Sequence, residues 1–380
     1  MKESWHVFHL DGERGLRGGE RQLLYLAAAL RARGHRNTVV CRRASLLEAE
    51  ARRQGFQTVS LPYLWEWDPF SAWKLAHLAR RSRNPVLHAH TAHTAALAAF
   101  AGPLGGLPWV AHRRVDFELS GRLSRRLKYD RAGRVVAVSR AIAGILERSG
   151  VPPSRIAVVP DGLPIGVAER RWTDLPEDVF CPSSPDEKAC LRRGLAERFG
   201  VCESGAWVGN LAALVPHKDH DTLLAAALLV LQKRPQTTFL IAGQGPEQER
   251  LVKQIKLMGL AGQVFILGHV SDPGPLLRAL DVFVLSSWGE GMGSVLLEAA
   301  ACGVPIAATT AGGIPEIVAD GSSGLLVPTR DPEALAGAIG RLLGDQVLAQ
   351  RLATQAREDL PDFGLERMAG QMEEVYGSLA

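Results

Sequence analysis

Two glutamates eight residues apart, Glu290 and Glu298, flank a glycine-rich turn, Gly289-Glu290-Gly291-Met292-Gly293, that follows the apolar run DVFVLSS. Glycines at the mouth of a helix let a ligand approach the backbone, where N–H groups attract phosphate. A carboxylate that accepts paired hydroxyl hydrogen bonds suits a sugar or a ribose. The spacing predicts Glu298 about two helical turns beyond Glu290, one carboxylate before the helix and one beside it. The plainer alternative is a turn residue followed by a surface helix residue. A second set of candidates is His88, His90 and His93 in VLHAHTAH. Their spacing invites a metal, but His88 and His90 close a strand and no carboxylate or cysteine accompanies them, so no metal is expected. Arg113 and Arg114, in AHRRVDF, end another strand. They suit bidentate binding of an acceptor phosphate or carboxylate, or a salt bridge to Asp116 or Glu118.

The elements that must carry these residues alternate. WHVFHL, TVVCR, PVLHAH, PWVAHR, RVVAVS and IAVVP are short apolar runs separated by helical stretches, the first helix placing Leu23, Ala27 and Leu30 on one face. Continuous apolar strands between helices predict βαβ units and a parallel sheet. A Pro-, Ser- and charge-rich stretch without period then occupies residues 166–200, which reads as linker and loop. AWVGNLAAL, TTFLIAG, QVFILG, DVFVLSS and VPIAAT start a second alternating series. The expected fold is therefore α/β with two facing Rossmann-like domains, residues 1–165 and 201–362, and ligands at the carboxyl ends of the strands. A final helix at residues 363–380, after Pro361 and Gly364, is expected to pack back on the first domain.

The chain has 380 residues, 46% hydrophobic and 22% charged, an ordinary globular composition for two domains. No window reaches the ~18 consecutive apolar residues of a membrane span. Five unpatterned cysteines support neither a disulfide framework nor a zinc site, and a reducing, cytosolic setting fits. The net charge of +4 conceals an asymmetry. Residues 1–165 hold 26 Lys and Arg against 13 Asp and Glu, leaving 18 against 27 in the remainder. The basic half suits an anionic headgroup, an acidic acceptor or nucleic acid, or attraction between the halves. GRLSRRLKYDRAGR, with Leu123 and Leu127 among basic residues, and the aromatics Trp65, Trp67, Phe70 and Trp73 fit a membrane interface, a sugar-stacking site or ordinary packing.

The segment EGMGSVLLEAAACGVPIA…GGIPEIV.DG..GLLVP..DPEALA resembles the E-x7-E signature of the family 4 retaining glycosyltransferases of GT-B fold. VGNLAALVPHKDHDTLLAA, FLIAGQGPEQERL, VFILGHVSD and VVAVSRAIAGILERSGVPPSRIAVVPDGLPI are similar to further units of that family, continuously from Val135 to Leu343 apart from the loop after Pro164. The resemblance implies Glu290 on donor-sugar hydroxyls, Glu298 on the nucleotide ribose, and the backbone of Gly291, Met292, Gly293 and Ser294 along the diphosphate. It further implies Lys218 as the diphosphate clamp, Gly18 and Gly19 of GLRGGE facing the donor phosphate, and His90 reaching the donor sugar. His90, Lys218 and Glu290 would be catalytic, with Arg113 and Arg114 on the acceptor side. One departure stands out. The family's arginine five residues before its lysine is Ala213 here, and His217, Arg113, Arg114 or Arg17 would have to substitute.

What the resemblance implies is retaining transfer from a nucleoside-diphosphate sugar to a glycan or glycolipid acceptor, with no metal or other cofactor. The base pocket, Gly243 to Gly245 and Gly268 to Val270, is mostly backbone and carries little code for the nucleotide. Bacterial envelope polysaccharide or lipopolysaccharide assembly is the expected pathway. The expected place is cytoplasmic, with peripheral contact to an anionic membrane surface. The rival reading is a catalytically weak sugar-nucleotide-binding scaffold. No nucleic-acid motif is present, and the E-x7-E setting speaks against a GT-B-like epimerase.

Overall fold

A computed structural model describes residues 4–379 apart from 64, 66, 118–121, 174 and 176–178. Glu118, and the side chains of Arg122 and Leu123, therefore lie outside the described residues. The chain divides into two units, Met1–Leu175 with Asp362–Ala380, and Pro176–Pro361.

The first unit is built on a seven-stranded sheet: β1 (His6–Leu10), β2 (Arg36–Arg42), β3 (Gln57–Leu61), β4 (Pro85–Ala89), β5 (Trp109–Arg113), β6 (Arg134–Ala137) and β7 (Ile156–Val158). All pairings are parallel, in the order β3-β2-β1-β4-β5-β6-β7. The order reverses between β1 and β4, which opens a crevice at their carboxyl ends. Val7, Val86, Val110 and Val136 form one core with the Gly18–Ala32 helix and with Leu365, Met368, Met372 and Tyr376 of the Leu365–Gly377 helix. Ion pairs tie that last helix to the same unit: Arg33 Nε meets Glu373 at 2.6 Å and His35 Nε2 meets it at 2.9 Å.

The second unit has six parallel strands: β8 (Trp207–Leu211), β9 (Thr238–Ala242), β10 (Val264–Gly268), β11 (Val282–Leu285), β12 (Ile306–Thr309) and β13 (Leu325–Val327). Their order is β10-β9-β8-β11-β12-β13, with the reversal between β8 and β11. Its core joins Val208, Phe239, Val282 and Val284 to helices that include His220–Lys233 and Pro332–Gly344.

The stretch 166–200 differs from the linker expected of it. Gly166–Trp172 is helical, with Trp172 packed on the first core, and Pro185–Phe199 is a helix of the second unit. Ser184 and Glu187 form a reciprocal capping box, with Pro185 in the first turn, a start signal that was present in the sequence. The period was absent because this helix buries only Leu195 and is held by charge instead, Lys188 meeting Asp281 at 2.8 Å. Strands β3 and β13 are also additions to the reading; both are short edge strands. All five cysteines are free, and no described helix is long and apolar enough to cross a membrane.

Candidate active site

In the second unit, the loops leaving β8 and β11 emerge side by side at the reversal of strand order. Ser286 Oγ donates to the Lys218 carbonyl at 2.9 Å, and the Trp288 N–H donates to the His217 carbonyl at 2.9 Å. Those bonds fix both backbones. Lys218 Nζ then reaches Glu290 Oε2 at 2.5 Å, and Ser287 Oγ donates to the same oxygen at 3.1 Å. The pair is mostly buried, its side chains 17% and 11% exposed. Opposite charges at this depth attract more strongly than in water.

Behind Glu290 a second loop presses against the chain. Gly312 has φ +51°, and a Cβ there would lie 1.8 Å from the Glu290 carbonyl oxygen, so only glycine fits. Beyond Glu290 the chain bends at Gly291 and turns through Gly293 (φ +84°), and the helix begins only at Val295. The expected separation of two helical turns is therefore corrected: Glu298 stands in the first turn, because the glycines keep the chain out of the helix until then. It is buried, at 7% exposure. No side chain caps the helix start at Ser294. On the β8 side, Ala213 lies in a loop whose neighbour Ala212 carbonyl would be 1.8 Å from a Cβ on Gly243. The Gly243 N–H donates to the Gly268 carbonyl at 2.8 Å, which brings the two backbone segments expected around a base together. Among the suggested substitutes for the absent arginine, His217 has its ring edge-on to Trp288 at 6.4 Å.

In the first unit the candidates are embedded in a chain of hydrogen bonds. Register sets His9 of β1 opposite His88 of β4, and His90 follows on the same side. Arg114 Nη1 lies 3.0 Å from His90 Nδ1, and His90 Nε2 lies 3.1 Å from His9 Nδ1. His9 Nε2 lies 3.0 Å from Asn37 Oδ1. A guanidinium only donates, so His90 Nδ1 accepts. Burial, helped by the charges of His88 and Arg114, holds the His90 pKa well below its ordinary value, and burial takes His9 to about 4. Both rings are neutral near pH 7, so His90 carries its proton on Nε2 and gives it to His9 Nδ1. His9 in turn donates from Nε2 to Asn37, whose amide donates to the His35 carbonyl at 3.1 Å. The direction of every proton is thus set from Arg114. A hydroxyl can bond a ring nitrogen of His90 only by displacing Arg114 or His9.

Arg114 is itself anchored by Asp161, Nε to Oδ1 3.0 Å, both side chains nine-tenths buried. Burial raises the Asp161 pKa, outweighing the attraction of Arg114. Arg113 is 6% exposed and donates to the carbonyls of Val115 and Phe117 and to the Tyr129 hydroxyl. Both arginines considered for an acceptor are therefore engaged inside the unit, through partners other than Asp116. Gly18 and Gly19 open the Gly18–Ala32 helix, and a Cβ on Gly19 would meet nothing within 4 Å. The Arg17 N–H ahead of them donates to Glu20 Oε2 at 2.5 Å.

A second histidine pair lies beneath the first. His88 Nδ1 is 2.8 Å from the Tyr376 hydroxyl and its Nε2 is 3.2 Å from His112 Nδ1, while the His88 and His90 rings stack at 4.1 Å. Among the described residues, His9, His88 and His90 place one ligand atom each within 4.8 Å of one another, so the triad compatible with a metal contains His9, not the exposed His93. A cation there would displace the existing ring bonds and sit beside Arg114, an unfavourable neighbour. His9, Asn37, His112, Asp161 and Tyr376 were not singled out in the sequence. The one available signal was the alternation of histidines in HVFHL.

Comparison with known proteins follows the same division. The model described as "Glycosyltransferase Family 4" matches residues 16–166, and that described as "Glycosyl transferases group 1" matches 201–359. A D-inositol 3-phosphate glycosyltransferase of Salinispora tropica is 32% identical over 259 residues, 65% of this chain and 51% of that one. A GDP-mannose-dependent alpha-(1-6)-phosphatidylinositol monomannoside mannosyltransferase of Mycolicibacterium smegmatis is 36% identical over 189 residues, 47% and 48% of the two chains. The chain spans about half the length of these curated relatives. Anabaena HepE in complex with UDP superposes with a TM-score of 0.82 at 24% identity, covering 98% of this chain and 100% of that one. The fold is that of GT-B glycosyltransferases.

Proposed function

The chain belongs to glycosyltransferase family 4, and from that premise we propose that it moves a sugar from a nucleoside-diphosphate donor to a hydroxyl of a glycan or glycolipid. The observation that carries this reading is the Lys218–Glu290 pair, brought together from 72 positions apart beside a glycine turn with Glu298 buried in the next helical turn. In the proposed reaction Lys218 leaves Glu290 for the diphosphate, where its charge stabilises the leaving group. Glu290, released, accepts from the hydroxyls of the sugar, and Glu298 accepts from the ribose. The backbone of Gly291–Ser294 runs along the diphosphate. By family analogy Gly18, Gly19 and His90 are the first unit's donor-side groups. Transfer proceeds with retention and without a metal, the leaving phosphate oxygen taking the acceptor's proton. The inositol-phosphate and phosphatidylinositol-mannoside glycosyltransferases that this chain resembles support a nucleotide-sugar donor and a role in envelope glycan or glycolipid assembly. The exposed Phe70, Trp73, Phe100 and Leu104 support peripheral contact with an anionic membrane on the cytoplasmic side.

The test is nucleoside-diphosphate release from UDP- and GDP-sugars in the presence of EDTA, with and without candidate acceptors, and the anomeric configuration of the product by NMR. Lys218→Ala is expected to lower turnover about 10²–10³-fold, the size of losing one preorganised charge stabiliser. Glu298→Ala is expected to remove the thermal stabilisation given by the free nucleotide. Nucleotide binding with no acceptor-dependent release from any donor would favour the scaffold reading instead.

A further inference from the structure

The first unit has another polar feature at the carboxyl ends of its strands. An open cleft of about 530 Å³ lies beyond β1, β2 and β3, and its wall carries Arg14, Arg17 and Arg42. None of the three forms an ion pair among the described residues. The acids of the same wall are differently placed. Glu20 accepts the Arg17 N–H at the start of its helix, and Asp68 accepts the N–H groups of Phe70 and Ser71 at 3.1 and 3.2 Å at the start of the Pro69–Ala79 helix. Each of these carboxylates thereby offsets the positive end of its own helix dipole. The wall thus carries three guanidinium groups and the three carboxylates of Glu13, Glu20 and Asp68, of which Glu20 and Asp68 are committed to helix starts while the guanidinium groups are not paired among the described residues.

Aromatic surface accompanies them. Tyr63 lines the cleft beneath Gly12 but is buried, its hydroxyl donating to the Val40 carbonyl at 3.3 Å. Trp65, 61% exposed, stands on the same wall. Guanidinium forks beside aromatic planes recognise an anion borne on a ring: the fork pairs with the phosphate or carboxylate, and the aromatic covers the apolar face.

We propose that this cleft binds an anionic acceptor, a sugar or polyol carrying phosphate or carboxylate, with Arg14 and Arg42 holding the charge. The proposal rests on the glycosyltransferase reading and narrows its acceptor. It also moves the acceptor charge from Arg113 and Arg114, which are engaged elsewhere, to arginines that are not.

Calorimetry on the full chain tests it with matched probes: glucose, glucose 6-phosphate, glucuronate, and phosphatidic acid in phosphatidylcholine vesicles, with UDP and GDP titrated in parallel. Glucose 6-phosphate or glucuronate is expected to bind at least about tenfold more tightly than glucose, and each of Arg14→Ala and Arg42→Ala to weaken it by about tenfold. Arg42→Lys should recover part of the loss, which excludes a folding defect. Binding of phosphatidic acid vesicles alone would support the cleft with a lipid-borne phosphate as its source. Equal affinity for glucose and its phosphate, or anion binding that survives the double Arg14→Ala/Arg42→Ala variant, would overturn the proposal. Absence of anion binding while UDP or GDP still binds overturns the cleft and leaves the donor site standing. Loss of both sinks both.

Discussion

The two sheets put their polar residues at the same topological place, the reversal of strand order, and stabilise them by opposite means. At the β8/β11 reversal the groups are few: one lysine, two glutamates and glycines whose missing side chains let backbones touch. Lys218 and Glu290 satisfy each other, and in the proposed reaction both exchange that partner, one for the diphosphate and one for sugar hydroxyls. At the β1/β4 reversal the groups are buried, mostly neutral and linked in series from Arg114 through His90 and His9 to Asn37. Removing one member there leaves its neighbours unpaired in low dielectric, where that is costly. One site is a self-contained pair and the other a series in which every member depends on the next.

Acid should separate the two units most strongly. Burial lowers the pKa of His6 and His9 to about 4 and holds His88, His90 and His112 well below the ordinary value. A histidine whose folded pKa is depressed stabilises above its unfolded pKa of ~6.5, and that stability is lost as pH falls toward the folded value. Asp11, raised to about 7 by burial and by Glu20, acts in the opposite sense, because the folded state holds its proton while the unfolded state has released it. The five histidines outnumber Asp11, so the first unit loses stability as pH falls below ~6.5. In the second unit burial and Lys218 lower His220 to about 4. Hydrogen-exchange protection, corrected for the pH dependence of intrinsic exchange, should therefore fall between pH ~6.5 and ~4.5 in β1, β4 and β5 well before β8 and β11. Equal loss in both sheets would remove the contrast.

Asp161→Asn sharpens it at a single pH. The substitution leaves the Arg114 charge buried without its counter-ion, and breaking such a pair costs about 3–5 kcal/mol. Exchange should rise across the first sheet and not the second, and ¹⁵N NMR of the imidazoles should show His90 changing its tautomer or its exchange rate. A loss below 1 kcal/mol would mean that Arg114 has another route to neutralisation.

What could be read in advance follows the same division. Glu290 and Glu298 flank one contiguous glycine turn, so their spacing could be read locally, whereas Lys218 was singled out only through the family resemblance of VGNLAALVPHKDHDTLLAA. The histidine chain was illegible because its members come from β1, β2, β4, β5 and the residue after it, the loop after β7 and the last helix. Which of them touch depends on strand order and on register, such as His9 opposite His88. Arg114 could be seen to end a strand, but not that Asp161, 47 residues on, would occupy it. The Pro185–Phe199 helix was hidden for a different reason: it buries almost no apolar face, so no period marked it. β3 and β13 are edge strands of five and three residues with little apolar run to betray them.

The smallest effect tests how the last helix takes part in the chain. The Tyr376 hydroxyl meets His88 Nδ1 at 2.8 Å, and His88 Nε2 meets His112 Nδ1, while His112 Nε2 has no partner and is buried. Two proton arrangements satisfy the two bonds. If the tyrosine donates, His88 carries its proton on Nε2 and the orphan on His112 is an N–H; if His88 donates, the orphan is a lone pair. Tyr376→Phe removes the hydroxyl without changing the ring that packs on Met372 and Val136, so it should cost about 1 kcal/mol, the net worth of one hydrogen bond. If the tyrosine donates in the wild type, the His88 Nδ1 lone pair is left bare and the ring gains basicity, so its proton uptake shifts to higher pH in the variant. If His88 donates, the variant strands an N–H, and the cheaper outcome is a tautomer flip that passes the proton to Nε2 and reverses the bond to His112. Imidazole ¹⁵N shifts in the two proteins tell these apart, and no change in either ring would place His88 outside any coupling to the last helix.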